Sequence, residues 1–305
     1  MISSSVDKVV GLAYGFEDRL VRYFRRFPRN VRSDSSPFLS SDTYFFQANL
    51  RIDCPEDLMQ IDGVSSEGVI YVNGNLIEEI WDELTGRLEE LHKRFDCIIV
   101  GDTDKTLAKS QIILLSQLFK RGWIVNLLTR DEENVFPLPL GLESQRYRSA
   151  GQLRDFKKLP DLNPKHRHIG ILVAWNDSTN IEKRSQARRI IRESDHVHEI
   201  HERLNARYLH RLMRKTLLVP CPAGNGFDTH RFWESLYLGA LPVIVQEDYI
   251  PAYEEWPHVS FANWNDLQSL TRYEIEKIYC EHQSALSQIR RKSELFITNL
   301  KKELS

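Results

Sequence analysis

Residues 216–246 read TLLVPCPAGNGFDTHRFWESLYLGALPVIVQ. Two apolar runs, 216–221 and 241–246, enclose a glycine-bearing turn and a short helical stretch. Such runs are almost continuously apolar, the pattern of strands covered on both faces in a parallel sheet. Between them, Gly224, Asn225 and Gly226 precede a helix opening near Asp228. A backbone without Cβ atoms can bring N–H groups close to an anion at a helix N-terminus, the way α/β proteins hold a diphosphate.

The polar residues of this turn are dense. Asp228 is placed to cap the helix, and Thr229, His230, Arg231 and Glu234 follow within two turns. Arg231 and Glu234, three apart, share one helix face. There the cation could meet phosphate while the carboxylate accepts hydrogen bonds from ribose or sugar hydroxyls. The alternative is a plain strand–loop–helix unit in which Asp228 caps the helix and Arg231 pairs with Glu234. A cap accounts for one of these polar residues and leaves the rest unexplained.

Outward from this stretch the same grammar recurs. In the N-terminal half, 68–74, 95–101 and 122–128 are short β-rich runs, separated by helical stretches over 75–93 and 105–121. In the C-terminal half, 168–176, 216–221 and 241–246 alternate with helices over 181–194, 198–215 and 229–238. A further edge strand is expected at 258–263, and a helical pattern from 265 onward. Alternation of this kind indicates βαβ units and mostly parallel sheets. The proline-rich 137–143 and the polar run 144–168 separate the halves. This divides the chain into an N-terminal α/β domain over 1–145, a linker over 146–167 and a C-terminal α/β domain over 168–305.

The 305 residues suffice for two domains of ordinary size. A formal net charge of −2 gives no sign of the basic excess of a nucleic-acid binder, so no nucleic-acid partner is expected. Cys54, Cys97, Cys221 and Cys280 lack metal-ligand or paired spacing, which fits reduced thiols in a cytosolic protein. His196, His198 and His201 lie in a charged segment without the spacing of a helical zinc pair. No signal peptide is expected, since residues 1–15 lack a basic start and a long apolar core. No apolar run reaches the roughly 20 residues that span a bilayer. Residues 19–32 stand apart: Arg19, Arg22, Arg25, Arg26, Arg29 and Arg32 interleave with Leu20, Val21, Tyr23, Phe24 and Phe27. Such a segment is either a surface helix with a solvated arginine face or a peripheral contact with an anionic membrane.

Residues 224–244 resemble the donor-site signature of exostosin-like bacterial glycosyltransferases. That group has the GT-B fold, two Rossmann-like domains facing across a cleft, and uses nucleotide-activated sugars. The resemblance implies that Glu234, followed by Gly239 and Pro242, holds the nucleotide ribose. Many retaining GT-B enzymes carry a partner glutamate eight positions earlier. Here that position is Gly226, so retaining chemistry of that type finds no support. Weaker similarities lie at 38–46, 98–106, 136–144 and 173–184, in the family's order, although the histidine usual near Gly101 is missing.

On the GT-B plan the loop Asn176–Asn180 and Arg184 would face the donor phosphates, so Asn176, Thr179, Asn180 and Arg184 join the donor-binding candidates. A helix-capping loop is the alternative. Asp104, Asp102 and Asp42 fall in the acceptor half. Each is a candidate general base for an inverting transfer, Asp104 first, and each could instead be a capping turn aspartate. The expected activity is transfer of a sugar from a nucleotide-sugar to a hydroxyl of a bacterial surface glycan, free or lipid-linked. It would need no metal or other cofactor and would take place in the cytoplasm, at the inner face of the plasma membrane if residues 19–32 bind lipid. Transfer of a non-sugar group such as pyruvate, or nucleotide-sugar binding without catalysis, are the alternatives.

Overall fold

The computed structural model describes residues 32–58, 68–147, 153–202 and 204–304. Within them lie two five-stranded sheets, parallel throughout. The first contains β1 (Leu50–Ile52), β2 (Gly68–Asn73), β3 (Phe95–Gly101), β4 (Arg121–Ile124) and β5 (Val135–Pro137), side by side in chain order. Helices α1 (Ser41–Phe45), α2 (Ile77–Leu91) and α3 (Lys109–Leu118) accompany it.

The second sheet contains β6 (Ile169–Val173), β7 (Val197–Glu199), β8 (Thr216–Pro220), β9 (Leu241–Val245) and β10 (Val259–Phe261), in spatial order β10-β9-β8-β6-β7. The chain leaves β6 for β7 on one side and then crosses to β8 on the other. Its direction of winding therefore reverses between β6 and β8. At such a point the loops leaving two adjacent strands diverge and open a crevice at their carboxyl ends. With this half go α4 (Arg154–Lys157), α5 (Ile181–Ile191), α6 (Ala206–Met213), α7 (His230–Leu238), α8 (Trp264–Gln268), α9 (Arg272–Ser287) and α10 (Ile289–Leu304). Both sheets are Rossmann-like.

Strand alternation explains how the halves join. Ile70, Val72, Ile98, Val100 and Ile124 face one way and pack with Leu84, Leu88 and Leu91 of α2 and Leu115 of α3. Val69, Tyr71, Cys97, Ile99 and Trp123 face the other way, into a cluster that also holds the core of the second sheet and Ile297, Leu300 and Leu304 of α10. One contiguous apolar core thus spans both sheets. Helix α10 carries the chain back to the first half, where Arg121 meets Glu303 at 3.4 Å. Tyr237 on α7 ties three segments together, accepting from the Leu39 N–H at 2.9 Å and donating to Ser293 Oγ on α10 at 2.8 Å.

The expected strands and helices are present, with one correction. Residues 198–215 do not form a single helix: Val197–Glu199 pair with β6 as an edge strand, and α6 begins only at Ala206. Strands β1 and β5 were not expected either. No helix among the described residues is long and apolar enough to cross a membrane.

Candidate functional site

The loop after β8 and the start of α7 lie at the crevice where the second sheet reverses. Helix α7 is buried almost throughout, with Phe232, Trp233, Leu236 and Tyr237 in the core. It is therefore a rigid mount for its exposed end. Two glycines of the preceding loop are required by close approach. A Cβ on Gly224 would lie 2.5 Å from a guanidinium nitrogen of Arg184, and one on Gly226 would lie 2.7 Å from the Asp104 carbonyl oxygen. The first glycine admits a cation and the second admits the N-terminal half. Between them Asn225 is exposed, and its Nδ2 donates to Asp104 Oδ2 at 3.1 Å.

Asp228 does not cap α7. The cap position is Thr229, whose side chain makes no capping bond and whose buried Oγ1 has no hydrogen-bond partner among the described residues. Asp228 is a strut between the halves. Its Oδ2 accepts from the Leu140 N–H at 2.8 Å, its Oδ1 from Trp233 Nε1 at 2.7 Å, and its own N–H donates to Asn126 Oδ1 at 2.7 Å. Complete burial pushes its carboxyl up to about 6 in spite of these donors. Both of its carboxylate oxygens are thus engaged within the protein, one by each half.

The cations are the most distinctive feature. Arg184 bonds the carbonyl oxygens of Ala223 at 3.2 Å and Asn176 at 3.1 Å, and Thr179 Oγ1 at 2.5 Å. Among the described residues none of its partners is a carboxylate. Burial lowers its proton affinity, and the neighbouring positive charge of Arg231 lowers it further. Arg231 meets Glu234 at 3.5 Å, while its Nε is buried without a hydrogen-bond partner among the described residues. Two guanidinium groups thus repel each other, Arg231 paired with Glu234 and Arg184 offset only at a distance by Asp177 and Asp104. An anion there would relieve the repulsion.

Asn176 and Asn180 act as helix caps, accepting from the N–H groups of Ser178 and Lys183. Capping is not their whole role, because Asn180 Nδ2 also donates to the Gly224 carbonyl at 3.1 Å and Thr179 holds Arg184. The same caps that start α5 therefore fix the cation and the glycine loop. Beside them a cleft of about 690 Å³ runs along the carboxyl ends of β6 and β7, with Trp175, Leu204 and Leu209 as apolar wall and Arg231 at its edge. It belongs to the second half alone.

Glu234 is only 7% exposed. Its second oxygen lies 3.7 Å from His210 Nε2, and His210 Nδ1 lies 3.1 Å from Asp155 Oδ2. Burial alone would raise the Glu234 carboxyl; the attraction of Arg231 and the hydrogen bond and charge of His210 outweigh it and hold it at about 2. Burial also works against the imidazolium of His210, and the two flanking carboxylates overcome it, so its proton affinity is raised. His210 and Asp155 went unnoticed in the sequence because they are distant from α7 in the chain.

At the boundary of the halves, His230 reaches across to the first half. Its Nδ1 lies 2.8 Å from the Gly141 carbonyl and its Nε2 lies 3.4 Å from Glu143 Oε2. Of the three carboxylates expected as bases, Asp42 and Asp102 are buried in ion pairs. Arg32 meets Asp42 at 3.1 Å and both Asp53 and Asp102 at 2.6 Å, and Arg146 also pairs with Asp102. Asp42 further accepts from Ser144 Oγ and the Gln145 N–H. Both carboxylates are thus engaged in a buried network of the first half, and the structure shows neither of them open to an entering hydroxyl. Asp104 is exposed. Arg32 is buried and anchors this network, so it presents no charge to a membrane; residues 19–31 lie outside the described residues. Among the described residues, no group of three or more His, Cys, Asp or Glu side chains could hold a metal ion.

No protein-family model matches this chain, and no curated protein is similar to it in sequence.

Proposed function

We propose that this protein is a glycosyltransferase of the GT-B organisation that moves a sugar from a nucleoside diphosphate donor to a hydroxyl of a surface glycan. One observation supports this reading above the others: Arg184 and Arg231 converge, short of carboxylate partners, on a glycine loop and a helix N-terminus where the second sheet reverses. A diphosphate fits that field. Its oxygens would take the guanidinium groups of Arg184 and Arg231 and the Thr229 hydroxyl, and the apolar wall at Trp175 would cover the nucleoside. Glu234, at the far end of the Arg231 pair, would accept from ribose.

The two arginines also supply what the chemistry needs. As the bond from anomeric carbon to diphosphate breaks, negative charge grows on the leaving oxygen, and fixed cations stabilise it without reorganisation. They do the work that a divalent ion does in other transferases, so donor cleavage is expected to persist in EDTA. A thermal-shift screen against UDP-, GDP- and dTDP-sugars tests the reading, with a CMP-sugar, which has one phosphate, as the control expected to give no shift. A donor present at about 100 times its Kd stabilises the native state by about 2.7 kcal/mol. One nucleotide class should raise Tm in the wild-type protein and raise it markedly less in Arg184→Ala. No shift with any of them would count against the proposal.

A further inference from the structure

His230 and Glu143 come from opposite halves and meet where neither half alone has a site. We infer that they form the proton-accepting pair of this protein, His230 Nε2 taking the proton of an entering hydroxyl and Glu143 compensating the imidazolium that results. The inference rests on the transferase reading.

The geometry sets the tautomer. The Gly141 carbonyl can only accept, so the 2.8 Å contact places a proton on His230 Nδ1. The lone pair of the neutral ring is then on Nε2, facing Glu143. The carbonyl is itself fixed. Gly141 has φ +73°, and a Cβ there would fall 2.2 Å from the Leu39 carbonyl oxygen, which in turn accepts from the Leu142 N–H at 2.7 Å. Glu143 is held by its other oxygen, which accepts from the Ser144 N–H at 2.9 Å. The 3.4 Å between Nε2 and Oε2 is close enough for charge compensation and longer than a good hydrogen bond, so Nε2 is not tied to Glu143 and a hydroxyl can approach it from beside the carboxylate. Both side chains reach solvent, at 27% and 21% exposure, unlike Asp42 and Asp102.

The surrounding charges favour a proton at this place. Besides each other, Asp102 at the end of β3 and Glu234 on α7 act on both groups, and Arg146 and Arg32 are engaged with Asp102. Burial disfavours the imidazolium, but Glu143 and the other acceptors outweigh it and His230 is raised above its ordinary 6.5. Burial also raises Glu143, against the pull of His230. In the transfer step the acceptor O–H bond breaks and its proton goes to Nε2. The acceptor oxygen bonds the anomeric carbon, and the electron pair of the breaking bond leaves on the diphosphate. The imidazolium returns its proton to solvent after product departs.

The test has two arms. NMR titration of the histidine ring protons in the free protein should give His230 a midpoint above 6.5, falling in Glu143→Gln. Donor cleavage with the UDP-, GDP- and dTDP-sugars of the screen should show kcat/KM rising with pH through that same midpoint, and the limb should move to lower pH in Glu143→Gln. His230→Gln should lose about 10²–10⁴-fold in kcat with nucleotide affinity kept. Absence of cleavage by the wild-type protein under all conditions would overturn the transferase reading itself. Cleavage by the wild type that survives His230→Gln but is lost in Asp104→Asn would overturn this pair alone and give the role to Asp104. Should His230→Gln not fold, an unmoved His230 titration and an unmoved limb in Glu143→Gln would overturn the pair equally.

Discussion

Glu234 shows how one side chain serves structure and site at once. As a sequence feature it is a carboxylate one turn from an arginine. In the fold it joins Arg231, His210 and Asp155 into a chain of alternating charge running from α7 to α4. Its carboxyl, at about 2 against an ordinary 4.5, contributes stability on the order of 3 kcal/mol. That contribution is complete above the unfolded value and is lost as pH falls from about 4.5 towards 2. The raised His210 behaves oppositely. Its contribution is complete below 6.5 and is lost as pH climbs through its folded value. Urea unfolding of Glu234→Gln should therefore show its largest deficit against wild type between pH 4.5 and 6.5. A deficit constant from pH 3 to 9 would mean that the charged chain contributes nothing to folding.

At the scale of elements, the glycine loop separates two demands. A Cβ on Gly224 meets only the guanidinium of Arg184, which can shift by giving up its bonds to the Ala223 and Pro222 carbonyls. A Cβ on Gly226 meets backbone of the N-terminal half, which cannot. Gly226→Ala should thus cost about 1–3 kcal/mol of stability, as overpacking does, while Gly224→Ala should leave denaturant midpoints nearly unchanged and weaken diphosphate binding. Equal stability losses in the two variants, measured by denaturant unfolding, would contradict this division.

The elements also show what could be read beforehand. Strands β2, β3, β6, β8 and β9 are continuous apolar runs covered on both faces, and α2, α5 and α7 have helical periodicity, so these were legible. Strands β1, β5 and β7 have three residues each, too few for a period to show; β10 is as short, but Val259 and Phe261 alternating with Ser260 marked it, whereas β7 pairs with β6 alone and lies among charges. A run such as Val197–Glu199, among charges and next to a true helix, reads locally as helix. The site divides in the same way. Arg184 and Arg231 lie in the first turns of α5 and α7 and the glycines in the loop before α7, positions whose residue types declare them. Asp228 looked like a cap because capping is a local pattern, while its partners Leu140 and Asn126 are remote in the chain. The pairing of His230 with Glu143 was hidden for the same reason: no spacing rule connects residues that meet only when two sheets pack.

For the whole molecule, the continuous core means that the halves are not loosely hinged bodies. Asp228, Tyr237 and α10 each bind one half to the other, and the polar groups of the site are arranged around that seam. His230 and Glu143 are on it, Asp104 reaches Asn225 across it, and the arginines stand just inside the second half. The account depends on those arginines holding a diphosphate, whatever base and sugar are attached. Calorimetric titration with inorganic pyrophosphate tests this most directly, since the probe carries the diphosphate charge and nothing else. The account predicts saturable, salt-sensitive binding to the wild-type protein that weakens at least about tenfold, or roughly 1.4 kcal/mol, in both Arg184→Ala and Arg231→Ala. Absence of binding to the wild type, or equal affinity in both variants and the wild type, would contradict it.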